Sequence, residues 1–85
     1  MMVKILYFAS LRETLGTGAE EIALPAGVNT LAALRAHLAG RGGNWSAALA
    51  EERKVRMAVN QDIAPGSATV KAGDEVAFFP PVTGG

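Results

Sequence analysis

Apolar and polar residues interleave at the start of the chain, where Val3, Ile5 and Tyr7 alternate with Lys4, Leu6 and Phe8; this β-branched and aromatic run predicts a first strand. Glu13 follows Ser10 at capping-box spacing, so a short helical turn is expected from Ser10, ending at Gly16. Glu20 to Leu24 reads as a weaker second strand, stopped by Pro25-Ala26-Gly27. Asn29 or Thr30 can then cap a helix whose Leu31, Leu34 and Leu38 recur on one face, with Gly40 as its end. Arg41 to Asn44 reads as a loop and Trp45 to Glu52 as a short second helix. Val55, Met57 and Val59 alternate with Arg56, Ala58 and Asn60 in a third strand, followed by a turn at Pro65-Gly66. A short edge segment at Ala68 to Val70, a turn at Ala72-Gly73-Asp74 and a last strand over Glu75 to Phe79 complete the body, and Pro80 ends the ladder because it has no N–H.

The order β-β-α-β-β, without repeat or linker, suits a two-layer α+β domain in which a mixed sheet of four to five strands wraps one main helix. Residues 1-80 are expected to form this domain and residues 81-85 a flexible diglycine tail. An 85-residue chain that is 49% hydrophobic can fill one small core, but not a core and a deep cleft as well, so any chemistry is expected to be shared with another protein. Eight Lys and Arg balance eight Asp and Glu without long runs of one sign, which argues against nucleic acid or an anionic membrane as the main partner. Without cysteine there is no disulfide framework, thiolate metal site or catalytic thiol. Lys4 interrupts an apolar stretch too short for a signal segment or membrane span, so the expected location is cytoplasmic.

The last eight residues, Phe78-Phe79-Pro80-Pro81-Val82-Thr83-Gly84-Gly85, carry the candidate chemistry. Gly has no Cβ, so a terminal Gly84-Gly85 is thin enough to enter a narrow channel and present its α-carboxylate to groups held by another protein. Pro80-Pro81 fixes two φ angles and favours an extended course, which predicts a projecting arm.

The stretch from Gly73 through Asp74-Glu75-Val76-Ala77-Phe78-Phe79-Pro80-Pro81 to Val82-Thr83-Gly84-Gly85 resembles the carboxy-terminal signature of the small subunits of molybdopterin synthase, the MoaD type, which have ubiquitin-like β-grasp folds. Phe8-Ala9 with Leu11-Arg12-Glu13 and Gly16, and Ala58-Val59-Asn60-Gln61, are weaker matches to the same family. The resemblance implies a sulfur carrier. An adenylyltransferase resembling ubiquitin-activating enzymes uses ATP and magnesium to adenylate Gly85, the acyl-adenylate becomes a thiocarboxylate through an indirect sulfur donor, and the tail enters the large subunit of a heterotetrameric synthase. There the sulfur passes to cyclic pyranopterin monophosphate. Gly85 is then a covalent carrier site and Pro80, Pro81, Val82, Thr83 and Gly84 its tail; catalytic groups belong to the large subunit, and this chain binds no cofactor or metal. Alternative readings are a Gly-Gly carrier for thiamine biosynthesis or transfer-RNA thiolation, a ubiquitin-like protein modifier, or a non-covalent β-grasp adaptor.

The resemblance also places hydrophobic partner contacts at Phe8, Ile63 and Phe79. Strand parity agrees for two of them: if Val76, Phe78, Ile5 and Tyr7 face the core, then Ala77, Phe79, Leu6 and Phe8 face the opposite side. An apolar patch on a small sheet is the mark of an interface. Other residues read more simply. His37 has no second ligand nearby and suits a solvated or half-buried helix position, and Trp45 suits a core or rim anchor. Arg12-Glu13 reads as a surface pair or a partner contact. Gly40, Gly42 and Gly43 lack the Lys-Ser/Thr pair of a phosphate loop.

Overall fold

Two strands far apart in sequence form the centre of the sheet. The computed structural model describes residues 2–81, in which β1 (Met2–Tyr7), α1 (Ala9–Leu15), β2 (Ala19–Ala23), α2 (Leu31–Ala39), α3 (Gly43–Leu49), β3 (Arg56–Val59), β4 (Asp62–Ile63) and β5 (Glu75–Phe79) follow in order. The five-stranded sheet runs β2-β1-β5-β3-β4. β1 and β5 pair in parallel, with Ile5 opposite Val76 and Tyr7 opposite Phe78, while β2, β3 and β4 add antiparallel neighbours. This is the mixed α+β sheet expected from the sequence, at the upper end of the expected strand number.

Period-two alternation puts one set of side chains under the helices. Val3, Ile5, Tyr7, Met57, Val76 and Phe78 line the inner face and meet Leu31, Leu34 and Leu38 of α2, Leu11 of α1 and Leu49 of α3. Val76 and Phe78 are completely shielded from solvent, and each such side chain contributes about 1.5–3 kcal/mol when fully buried. α2 is capped as the sequence indicates: Thr30 Oγ1 accepts a hydrogen bond from the Ala33 N–H at 3.1 Å, and the Gly40 N–H closes on the Ala36 carbonyl at 3.0 Å. The remaining first-turn donors of α2 are met by a loop, through Leu31 N–H to the Ala68 carbonyl and Ala32 N–H to the Gly66 carbonyl. Gly66 suits that approach, since a Cβ there would stand 3.2 Å from Ala32 Cβ, a tight contact that Ala32 would have to yield to by a few tenths of an ångström.

Several sequence expectations are corrected. α1 begins at Ala9, and Phe8, not Ser10, is its N-cap without a side-chain cap, so the Ser10–Glu13 box does not form. The chain turns straight from β1 into the helix, and the Phe8 carbonyl receives both the Leu11 and Arg12 N–H groups before Ser10 can act. α3 starts two residues earlier than expected and stops at Leu49; Glu51 and Glu52 lie beyond it. Its C-terminal end is closed by Arg35 of α2, which donates to the carbonyls of Leu49, Ala50 and Arg53 at 2.9, 2.6 and 2.6 Å. Three helices cover the sheet, of which α2 is the longest described. Ala68 to Val70 is not a sheet edge: it is bonded to the segment before α2 through the Thr30–Thr69 bridge and the Val70 N–H to Asn29 carbonyl bond. β3 ends at Val59 rather than Asn60, and the short β4 that follows was not foreseen.

Candidate functional site: the outer face of the sheet

The register places apolar residues from four strands in one row on the face away from the helices. Leu6 pairs with Ala77, Ala77 with Ala58, and Ala58 with Ile63. Ala58 is 6% exposed and lies between the inward-facing Met57 and Val59, so it forms the floor of this row while Ile63, 70% exposed, forms its rim. The next row toward the end of β5 holds Phe79 opposite Arg56, with Phe8 alongside, because Tyr7 pairs with Phe78 and the Phe8 N–H donates to the Phe78 carbonyl at 3.1 Å. Phe8 is 46% exposed, and Phe79, Pro80 and Pro81 are half-buried. On the other side of the apolar row, Lys4 lies between Glu21 and Glu75 and makes a polar border. An apolar strip with a charged rim on one sheet face has the composition of a protein-docking surface.

All three expected contact residues therefore lie on one face, and Phe8 and Phe79 sit beside the point where the chain leaves the sheet. Val82, Thr83, Gly84 and Gly85 lie outside the described residues. Sequence parity found Phe8, Phe79, Leu6 and Ala77. It missed the joining role of Ala58, because β4 was needed to bring Ile63 beside it. An alternating pattern through Ala58 with an Asn turn signal at Asn60 was the available clue.

The turn between β3 and β4 is unusual. Val59 pairs with Asp62, leaving Asn60 and Gln61 as a two-residue loop, and both have positive φ, 50° and 74°. Asn60 is tied to the start of β5: its N–H donates to the Glu75 carbonyl at 2.7 Å, its Oδ1 accepts from the Glu75 N–H at 3.0 Å, and its Nδ2 donates to Asp74 Oδ1 at 3.1 Å. The other oxygen of Asp74 accepts from the Lys71 N–H at 2.9 Å. The bond from Lys71, and then that from Asn60, outweigh burial and hold the Asp74 carboxyl below the usual carboxylate range.

A second polar cluster supports the sheet from inside. The Tyr7 hydroxyl donates to Glu20 Oε2 at 2.8 Å, and Arg41 donates to both Glu20 oxygens at 2.9 and 3.0 Å. Arg41 also lies 4.4 Å from the centre of the Trp45 ring, which meets Tyr7 edge-on, while Tyr7 stacks on Phe78. Burial, then the Glu20 bond, raises the Tyr7 hydroxyl far above its ordinary range; burial opposes ionisation of Glu20, but Arg41 and Tyr7 together hold it low. Trp45 is thus a rim anchor, and His37 is exposed on α2. Among the described residues, no group of three or more His, Asp or Glu side chains is placed to hold a metal ion, and no helix is long and apolar enough to cross a membrane.

Comparison with known proteins agrees with this architecture. The chain is 49% identical over 84 residues to the molybdopterin synthase sulfur carrier subunit of Escherichia coli, covering 99% of this chain and 100% of that protein. In the complex of subunits 1 and 2 of the molybdopterin-converting factor from Helicobacter pylori, a matching chain is 26% identical with a TM-score of 0.67 and complete coverage of both chains. SAMP1 of Haloferax volcanii is 25% identical with a TM-score of 0.76, again over both whole chains. Residues 5–85 match the ThiS family, and the chain belongs to that family.

Proposed function

We propose that this chain is the sulfur carrier subunit of a molybdopterin synthase. The observation that carries the proposal is its 49% identity to the Escherichia coli carrier over the length of both proteins. The apolar face that surrounds the base of the Pro80–Gly85 segment supports it. In this reading Phe8, Ile63 and Phe79 dock the large subunit; a matching chain of the Helicobacter pylori molybdopterin-converting factor occurs in complex with a second subunit, which supports a partner of that kind. SAMP1, at 25% identity, is a weaker guide to function than the Escherichia coli protein.

The chemistry follows from the acyl group of Gly85. A carboxylate is a poor electrophile, so an adenylyltransferase partner must first join it to the α-phosphate of ATP, with magnesium bound to the nucleotide and pyrophosphate leaving. Attack by a sulfur nucleophile at the acyl carbon then expels AMP: hydrosulfide gives the thiocarboxylate directly, whereas a donor persulfide gives an acyl disulfide that a thiol cleaves, taking the donor's sulfur into a disulfide and leaving the thiocarboxylate. Its sulfur attacks a carbon of the pterin precursor in the large subunit with loss of an oxygen substituent, and water then cleaves the acyl–sulfur bond, leaving the sulfur on the pterin and Gly85 as a carboxylate. Residues Pro80, Pro81, Val82, Thr83 and Gly84 deliver it there, while the acid–base groups belong to the large subunit, so this chain is a reagent and not an independent catalyst. ATP-dependent activation places the cycle in the cytoplasm.

The test is intact-mass measurement after incubation with the activating enzyme, ATP, magnesium and a sulfur donor, followed by addition of the large subunit and cyclic pyranopterin monophosphate. Replacement of one oxygen by sulfur at Gly85, then its loss with formation of molybdopterin, is the expected result. A terminus that stays unmodified under conditions that charge the Escherichia coli carrier would overturn it.

A further inference from the structure

Ile63 contributes the most exposed large hydrophobic side chain of the described residues, yet the strand that carries it is only two residues long and lies at the sheet edge. Its ladder contacts are the Ala58–Ile63 and Val59–Asp62 pairs, supplemented by the Ala64 N–H to Met57 carbonyl bond at 3.1 Å. So short an edge strand does not hold its own position. The turn that feeds it is also unfavourable by itself, because Gln61 adopts a φ of 74° that suits Gly or Asn. What holds the turn is its attachment to the beginning of β5, through the backbone and side chain of Asn60 on Glu75 and Asp74. Asp74 is itself 7% exposed and fixed by the Lys71 N–H, so the anchor is rigid.

We propose that Asn60, held by Asp74 and the Glu75 backbone, is the positioning residue that fixes Ile63 on the docking face. β5 then sets both ends of that face: Phe79 directly, and Ile63 through Asn60. The proposal rests on the reading that the outer face binds the large subunit. It adds that a residue outside the apolar row controls affinity by placing a member of that row.

The test is a double-mutant cycle on affinity for the large subunit, at a temperature where circular dichroism shows every variant folded. Asn60→Gly keeps a turn residue tolerant of positive φ and removes the side-chain lock; Ile63→Ala removes the contact. Each is expected to raise Kd about tenfold, and the double variant to bind within about twofold of Ile63→Ala alone. Gln61→Gly relieves the strained φ and keeps the lock, so its Kd should match the parent. Asp74→Ala, which removes the acceptor facing Asn60 Nδ2, gives an independent second arm should Asn60→Gly not fold. Amide exchange at Ala64 should quicken about tenfold in the Asn60 or Asp74 variant. Additive losses would show that Asn60 acts without Ile63 and would overturn the proposal, as would an unchanged Kd or unchanged Ala64 protection in the lock variants. A Gln61→Gly loss equal to that of Asn60→Gly would assign the effect to turn flexibility and also overturn it. An Ile63→Ala variant that binds normally would remove Ile63 from the interface, defeating the docking assignment and, with it, the positioning role.

Discussion

Phe78 and Phe79 are identical side chains on adjacent residues with opposite fates. Phe78 is completely buried between Tyr7 and the inner face, whereas Phe79 lies half-buried on the outer face opposite Arg56. Phe78→Ala should therefore cost about 3–5 kcal/mol of folding stability, read from denaturant unfolding. Phe79→Asp should leave the isolated domain folded but raise Kd for the large subunit by about a hundredfold or more, because an unpaired carboxylate would be desolvated in an apolar contact. Calorimetric titration paired with circular dichroism separates the cases: an unfolded Phe79 variant would make the residue core, and unchanged affinity would take it out of the interface. A second residue-scale effect concerns pH. Asp74 has a lower pKa folded than unfolded, so its stabilising contribution is complete above the unfolded carboxylate value, about 4, and is lost as pH falls through the lower folded value. Unfolding free energy measured from pH 6 downward should fall less steeply in Asp74→Asn than in the parent; identical slopes would contradict the assignment.

The elements that were legible in the sequence are those whose determinants are local. β5 was read to the residue because Val76 and Phe78 alternate with Ala77 and Phe79 between the Gly73 turn and Pro80. α2 was equally clear, since Thr30, the leucine stripe and Gly40 mark its start, face and end within a dozen residues. β4 was not legible, because the bonds that bend the chain there come from Asp74 and Glu75, far along the sequence from Asn60. The start of α1 was misplaced for the same reason: the Phe8 N–H is held by β5, which sets the cap two residues before Ser10. Of the candidate site, parity revealed Phe8 and Phe79, while the meeting of Ile63 with Ala58 required the missing strand. The cluster joining Tyr7, Glu20, Arg41 and Trp45 was also invisible as a pattern, since it draws one residue from each of two strands, a loop and α3. It fastens β2 and α3 to the sheet centre. Arg41→Ala removes the two-pronged bond to Glu20 and the contact over Trp45, and is expected to cost about 1–2 kcal/mol, with a red shift of tryptophan emission. An unchanged urea midpoint and spectrum would mean that the cluster contributes nothing to the fold.

At the scale of the whole molecule, the parallel pairing of β1 with β5 explains why the outer apolar face and the departing chain coincide. Parallel neighbours finish at the same end of a sheet, so Phe8 just beyond β1 and Phe79 at the close of β5 stand together where Pro80 leaves. An antiparallel centre would have placed them at opposite ends. The buried cluster is meanwhile built from residues between Val3 and Phe78, with helices and sheet already joined before the chain reaches Pro80. On the proposed function, folding and delivery fall to different parts of the sequence, and they should respond differently to changes at position 85. If the body docks through Phe8, Ile63 and Phe79 as proposed, the distance from Pro80 to the acyl carbon is set by the residues between them, each spanning at most about 3.3–3.6 Å when extended. Deleting Gly85, or adding one Ala after it, shifts the reacting carbon by about one residue from where the large subunit needs it, and misplacement by even about 1 Å can cost a hundredfold in rate. Both variants are expected to lose sulfur transfer in the reconstituted synthase while keeping the parental melting temperature and near-parental affinity for the large subunit. A marked fall in melting temperature would show instead that the last residues belong to the packed body, and full transfer by the lengthened chain would show that reach is not fixed by the docked sheet.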